Sequence, residues 1–244
     1  MNKILTKKQL SDHAYSFVVE NGQIARSSRP GNFVTVRADI HSERIPLVVV
    51  DSDKQKGTLT LVVQEAGLSS TKFCQLAEGD EILDVVGPLG TPYAISKVGT
   101  VVCVGGGVGT VSVLPVARAM KEAGNRVVSV VAGQTKDRLV VVDEMRQASD
   151  ELIVVTDDGS EGQKGLPVDA LGEILAREQV DRIVAVGPGA MMEAICQVGK
   201  EKSIPVDVAL NAIIVDGTGI CGSCRLTIGG KTRFVCIYGP FFDG

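Results

Sequence analysis

Three cysteines, Cys221, Cys224 and Cys236, lie in a glycine-rich stretch, VDGTGICGSCRLTIGGKTRFVC, that spans residues 215–236. Thiols grouped this closely are metal ligands, and the candidates are an iron-sulfur cluster and a zinc ion. A 2Fe-2S site of the plant type spaces its ligands C-x4-C-x2-C, with a distant fourth cysteine. Laid over this stretch, that spacing puts Cys221 and Cys224 on the second and third positions, Cys236 on the fourth and Asp216 on the first. A carboxylate carries the same single charge as a thiolate and binds ferric iron, so Asp216 is admissible as the remaining ligand. Its other reading is a turn residue, because Asp-Gly is a common turn dipeptide. Gly217, Gly219 and Gly222 let the loop turn its amides inward. Zinc ribbons carry two C-x2-C knuckles, whereas one is present here, and His13 and His41 are far off in sequence. That weighs toward iron and sulfide.

A second chemistry-bearing stretch is CVGGGVGTVSVLP, where Gly105, Gly106, Gly107 and Gly109 stand between an apolar strand pattern and a helical one. Glycines there let a backbone approach a pyrophosphate at a helix N-terminus. Thr110 occupies the place of the third glycine of G-x-G-x-x-G, so a turn that simply packs helix on strand is an equal contender. VTDDGSEG, with Asp157 and Asp158, and VGPGAMM, with Gly187 and Pro188, put small and polar residues at two more strand ends. Open α/β sheets bind ligands at that edge. Asp157 and Asp158 are equally readable as turn residues, and Met191 and Met192 as packing residues of the next helix. Lys136 and Arg138 are the cations that a 2′-phosphate would need, so NAD and NADP both stay open.

The third stretch is ERIPLVV. Arg44 opens a strand and could fork onto a diphosphate while the edge of Ile45, Pro46 and Leu47 hydrogen-bonds a flavin ring, but on its own the motif reads as an ordinary surface arginine. Some residues later, EAGLSSTKF supplies Gly67, Ser69, Ser70 and Thr71 at a helix start, readable as a cap, as a phosphate site or as both.

These stretches need a scaffold. Up to Lys97 the chain reads as short β-branched runs (SFVVE, GNFVTVRA, RIPLVVV, GTLTLVVQEA, DEILDVVGPLG) separated by turn residues, which predicts an antiparallel β-barrel or sandwich over 1–97. From Val98 apolar strands alternate with helical patterns, which predicts a parallel sheet covered on both faces, an α/β nucleotide-binding domain over 98–205. The remainder, 206–244, breaks that rhythm and is expected as a small cluster domain.

Composition excludes several classes. With 44% hydrophobic and 22% charged residues the 244-residue chain buries a sizeable core and is not a disordered one. A net charge of -4 with no Lys/Arg run argues against nucleic acid and against a basic membrane anchor. No apolar run reaches the roughly 18 residues of a spanning helix, and the N-terminus lacks a signal peptide's apolar segment, so a cytoplasmic protein is expected. Cys74, Cys103 and Cys196 lie singly among apolar residues and read as buried, inert thiols.

The order R-x-P-L, G-x-S-S, GGGVG, VGPGAMM and the cysteine loop resembles the ferredoxin-NADP reductase superfamily of flavin enzymes. The loop narrows the resemblance to its branch with an appended 2Fe-2S domain. That branch includes the electron-transfer subunit of dihydroorotate dehydrogenase and the small subunit of the electron-bifurcating NADH-dependent ferredoxin-NADP reductase. RIPLVV, VVGPLG, TDDGS and the cysteine loop are most similar to the second of these. The resemblance implies FAD held by Arg44 to Leu47 and by Gly67 to Thr71, with NAD(H) or NADP on the α/β domain. It implies a 2Fe-2S cluster on Asp216, Cys221, Cys224 and Cys236, since these relatives share an aspartate at that position. It further implies a heterodimer with a large flavin and 4Fe-4S subunit, ferredoxin served through that complex, and no side-chain acid or base in the chemistry. The alternatives are service to dihydroorotate dehydrogenase, or a nucleotide-binding redox sensor that turns nothing over. Where the resemblance leads one to expect an acidic DGPEFDG ending, the chain has IYGPFFDG.

Overall fold

The structure is a computed structural model that describes residues 2–244. In chain order the first elements are β1 Ile4–Ser11, β2 Ala14–Glu20, α1 Gly22–Ser27, β3 Phe33–Arg37, β4 Ile45–Asp53, β5 Thr58–Gln64, α2 Leu68–Gln75 and β6 Asp84–Leu89. Then follow β7 Thr100–Gly106, α3 Gly109–Glu122, β8 Arg126–Gly133, α4 Val142–Ala148, β9 Glu151–Thr156, β10 Gln163–Lys164, α5 Pro167–Arg177, β11 Arg182–Val186 and α6 Gly189–Lys202. The last are β12 Val206–Ala209, β13 Arg225–Ile228, β14 Lys231–Phe234, α7 Val235–Tyr238 and β15 Phe241–Asp243.

The chain divides into two compact units. One is the chain up to Tyr93 together with Leu210–Pro240, and the other is Ala94–Ala209 with Phe241–Gly244. The cysteine segment, expected as a separate part, therefore packs with the strands of the first unit. Thr91 holds it there, its N–H donating to Gly239 O at 2.7 Å and its hydroxyl to Ile237 O at 2.8 Å.

In the first unit six antiparallel strands run in the order β1-β2-β5-β4-β3-β6. The period of two decides their faces. On β3, Val34 and Val36 enter a core with Ile4, Phe17, Leu59 and Leu61, and the intervening Thr35 and Arg37 take the other face. Phe73 of α2 closes the core edge-on against Phe17, ring centroids 5.1 Å apart. Strand β1 is one that the sequence reading leaves out. Its start bridges to the run before β6, with Lys3 opposite Glu81 and Ile4 N donating to Asp80 O at 2.9 Å.

The second unit holds a seven-stranded sheet in the order β10-β9-β8-β7-β11-β12-β15. Its neighbours are parallel except β12 and β15, so the expected parallel sheet is mixed at one edge. Strands β7, β8 and β11 are buried along nearly their whole length, as parallel strands covered on both faces are. The chain leaves β7 toward β8 on one side and reaches β11 on the other. The switch point thus lies between the C-terminal ends of β7 and β11, where α3 and α6 begin. No helix of the described residues is long and apolar enough to cross a membrane.

Candidate functional site

The strand register builds a charged row on the outer face of the first sheet. Val36 pairs with Ile45 and Arg37 with Asp84, so Arg44, Arg37 and Asp84 stand side by side across three strands. Asp84 Oδ2 accepts a hydrogen bond from Arg44 at 3.1 Å and forms an ion pair with Arg37 at 2.5 Å. Arg44 is thus an oriented residue and not a loose surface cation. Next along the strands Pro46, Thr35 and Val86 form the neighbouring row, with Ile45 and Leu47 half-buried against the core.

The two expected flavin stretches meet. Glu43 N donates to Ser69 Oγ at 3.3 Å, which ties the start of β4 to α2. Ser70 Oγ accepts from Ala66 N at 2.9 Å and Gly67 N at 3.0 Å and donates to Gly67 O, and Thr71 N closes the turn on Gly67 O. The cap reading is therefore realised. Gly67 itself has an extended backbone, φ -173°, and a Cβ placed there would meet nothing within 4 Å. Neither strain nor crowding within the chain requires a glycine there, and the turn is open on that side.

In the cysteine loop Gly217, Gly219 and Gly222 all have positive φ, between +70° and +83°, the region glycine reaches without strain. Gly217 is also a close approach, since a Cβ would lie 2.5 Å from Leu89 Cδ1 and 3.2 Å from Thr35 Cγ2. The loop is seated on β3 and β6, next to the R-x-P-L strand. Cys224 and Cys236 are buried with their sulfurs 3.2 Å apart, and Cys236 N donates to Cys224 Sγ at 3.5 Å. Asp216 and Cys221 form the other pair, as Asp216 Oδ2 accepts from Cys221 N at 2.9 Å and Oδ1 from Thr218 N at 2.7 Å. These amides, Thr218 first, hold the Asp216 carboxyl below its ordinary range. The Ser223 hydroxyl, 3.1 Å away, pulls the exposed Cys221 thiol down, whereas burial and then the Cys224 sulfur push Cys236 up to about 12. Among the described residues no three or more His, Cys, Asp or Glu side chains converge as a metal set. The donors stand as two pairs, Asp216 with Cys221 and Cys224 with Cys236, and in each pair a backbone N–H donates to the carboxylate or the sulfur. Behind them Gly229 and Gly230, φ +56° and +73°, make a tight hairpin between β13 and β14 that places Cys224 beside Cys236.

In the second unit the glycine loop has a packing role that local sequence cannot display. A Cβ on Gly105 would lie 2.6 Å from Thr110 Cα, one on Gly109 would run into Val186 O, and ones on Gly106 and Gly187 would strike Met191. These glycines let α3 and α6 start close to both strands at the switch point. Gly107, φ +55°, has open space around it, so the tip of the loop is clear. Thr110 Oγ1 is buried without a hydrogen-bond partner. Met191 packs as expected. Asp158 accepts from Ser160 N and Oγ at 2.9 and 2.6 Å, which lowers its pKa, and Ser160 Oγ in turn accepts from Lys136 N at 2.8 Å. Its turn reading is realised, while Asp157 stays exposed beside it. Pro188 caps the start of α6. Cys74 and Cys103 are buried as expected, and Cys196 is partly buried.

Residues 211–244 match the family model of the iron-sulfur cluster binding domain of dihydroorotate dehydrogenase B. A dihydroorotate dehydrogenase B (NAD(+)) electron transfer subunit homolog of Thermotoga maritima is 42% identical over 244 residues, covering 100% of this chain and 86% of that protein. The chain belongs to the dihydroorotate dehydrogenase B electron-transfer subunit family. The Streptococcus pneumoniae R6 member is 29% identical over 248 residues, with 98% of this chain and 94% of that protein covered. A chain from the solved NADH-dependent reduced ferredoxin-NADP oxidoreductase, a structure concerned with flavin-based electron bifurcation, superposes with a TM-score of 0.94. It is 41% identical, covering 100% of this chain and 88% of that one. A ferredoxin NADP+ reductase of Neisseria gonorrhoeae, 17% identical with a TM-score of 0.65, shares the fold. The role of this electron-transfer subunit family agrees with the cofactor set that the sequence implies: FAD, a 2Fe-2S cluster and NAD(H). The iron-sulfur model at 211–244 also disposes of the zinc alternative.

Proposed function

We propose that the chain is a small subunit that moves electrons between NAD(H) and a larger partner subunit, through FAD on the first unit and a 2Fe-2S cluster in the cysteine loop. The observation that carries this reading is the seat of the loop: Gly217 lies on Thr35 and Leu89, and Thr35 stands opposite Pro46 of the R-x-P-L strand. Bound FAD would supply hydride chemistry with NAD(H) and one-electron chemistry with the cluster. The chain's own residues do the positioning. Arg44 orients the diphosphate with Gly67, Ser69, Ser70 and Thr71 at the start of α2, and the edge from Ile45 through Pro46 to Leu47 supports the ring. The bridge of Lys3 with Glu81 ties the start of β1 to the run before β6, which supports a barrel beneath them. Asp216, Cys221, Cys224 and Cys236 would hold the cluster.

On the second unit, Gly107 and Gly109, Thr110 and the start of α3 receive the pyrophosphate, with Gly105 and Gly106 permitting the approach. Gly187, Pro188, Asp157 and Asp158 line the rest of that edge. The partner is a large subunit with flavin and 4Fe-4S centres, and ferredoxin is reached through it. Anaerobic titration with NADH tests the reading: flavin absorbance bleaches and a reduced 2Fe-2S EPR signal grows. A protein that binds NADH without either change is a sensor and not an electron carrier. The second reading, service to dihydroorotate dehydrogenase, is favoured by the family model at 211–244. Dihydroorotate-dependent NAD reduction by the co-purified complex would select it.

A further inference from the structure

Arg44 alone makes a poor diphosphate site. Its guanidinium already faces the Asp84 carboxylate at 3.1 Å, and that pair is neutral. The row becomes cationic only through Arg37, which shares the same Asp84 oxygen at 2.5 Å. Arg37 is placed for this by the alternation of β3, which sends Val34 and Val36 into the core and Arg37 to the face that Arg44 occupies. Its Nε is buried and finds no acceptor within the protein, while the side chain as a whole is 32% exposed, so an incoming anion would meet the outer end of the fork. A diphosphate brings about two negative charges and several acceptor oxygens, and planar forks recognise such oxygens in pairs.

We propose that Arg37 is a second diphosphate-binding arginine, and that Asp84 is the shared counter-ion that aligns both guanidiniums before the anion arrives. The inference rests on the FAD reading of the first unit. Asp84 keeps two like charges together on adjacent strands, and the bound diphosphate takes up the positive charge left over. The ring-binding part of the site lies further along β4, so the clamp acts on the phosphates and not on the isoalloxazine.

The test uses full-chain protein with its flavin removed, titrated separately with FAD and with riboflavin, which has the ring and no phosphate. Arg37→Ala is expected to weaken FAD about tenfold or more, leave riboflavin affinity at the wild-type value, and flatten the salt dependence of FAD binding. Arg37→Lys, which keeps the charge and loses the fork, is expected to fall between. Unchanged FAD affinity in Arg37→Ala overturns the proposal and leaves Arg37 as a structural partner of Asp84. Equal losses for FAD and riboflavin overturn it too, because the sheet itself would then be at fault. Arg44→Ala separates the levels: if it weakens FAD while Arg37→Ala does not, only this inference falls. If the wild-type chain binds no FAD, the proposed function falls with it.

Discussion

Gly217→Ala should detach the cysteine loop from its sheet while sparing the flavin site. The glycine has φ +79°, where an L-residue costs about 1–2 kcal/mol. Its new methyl would also lie 2.5 Å from Leu89 Cδ1 and 3.2 Å from Thr35 Cγ2, an overpacking worth about 1–3 kcal/mol. Together these come to about 2–5 kcal/mol, and a middle value of about 3 kcal/mol is about a hundredfold shift toward an undocked loop. Gly229→Ala is the control, since its φ is +56° but a Cβ there meets nothing within 4 Å, leaving only about 1 kcal/mol of backbone cost. Iron, sulfide and FAD are measured on both variants after anaerobic purification. Gly217→Ala should lose most of its iron and sulfide and keep its FAD, with Gly229→Ala close to wild type in all three. Wild-type iron and sulfide in Gly217→Ala would refute the claim that packing on β3 and β6 holds the loop.

Asp216→Ala removes a candidate ligand and the acceptor of two loop amides, so cluster content should fall; Asp216→Asn keeps an acceptor without the charge and should alter the EPR spectrum of what remains. Wild-type cluster content, EPR spectrum and potential in the alanine variant would make Asp216 a turn residue. Thr35→Val replaces a fully buried hydroxyl that has no hydrogen-bond partner. An unmet buried hydroxyl costs about 1–3 kcal/mol, so the variant should melt at or above the wild-type temperature, and a clear drop would reveal a partner for Thr35. Burial pushes the Cys74 and Cys103 thiols up to about 11 and about 12. At pH 8 both are protonated and should resist iodoacetamide in the native protein, as peptide mapping would show, whereas modification of Cys103 at the rate of an exposed thiol would contradict its burial.

The strands of both units were legible wherever period-two alternation or continuous apolar runs fixed a face, as in NFVTVR and TVVCVGG. What sequence could not show is long-range. Gly105, Gly106, Gly109 and Gly187 read as a nucleotide loop, but their crowding comes from Val186, Met191 and Thr110, partners that only the sheet order brings near. The cysteine loop read as its own domain because Thr35, Leu89 and Thr91, which seat it, lie over a hundred residues earlier. Arg37 and Asp84 carried no motif at all. The one available signal was alternation on β3, which already puts Arg37 on the outer face, and the register with Arg44 had to come from the fold. Conversely Ser70 and Asp158 were readable as a cap and a turn from local chemistry alone, since their hydrogen bonds reach no further than a few residues.

The central claim is that one chain carries both a flavin and a two-iron cluster. It is tested most directly by the visible spectrum of anaerobically purified protein, taken with iron, sulfide and flavin analysis of the same sample. One FAD, two irons and two sulfides per chain are expected, with flavin bands overlying the broad absorption of a 2Fe-2S centre. A colourless protein that contains zinc, or a yellow one with flavin and no iron, would contradict it.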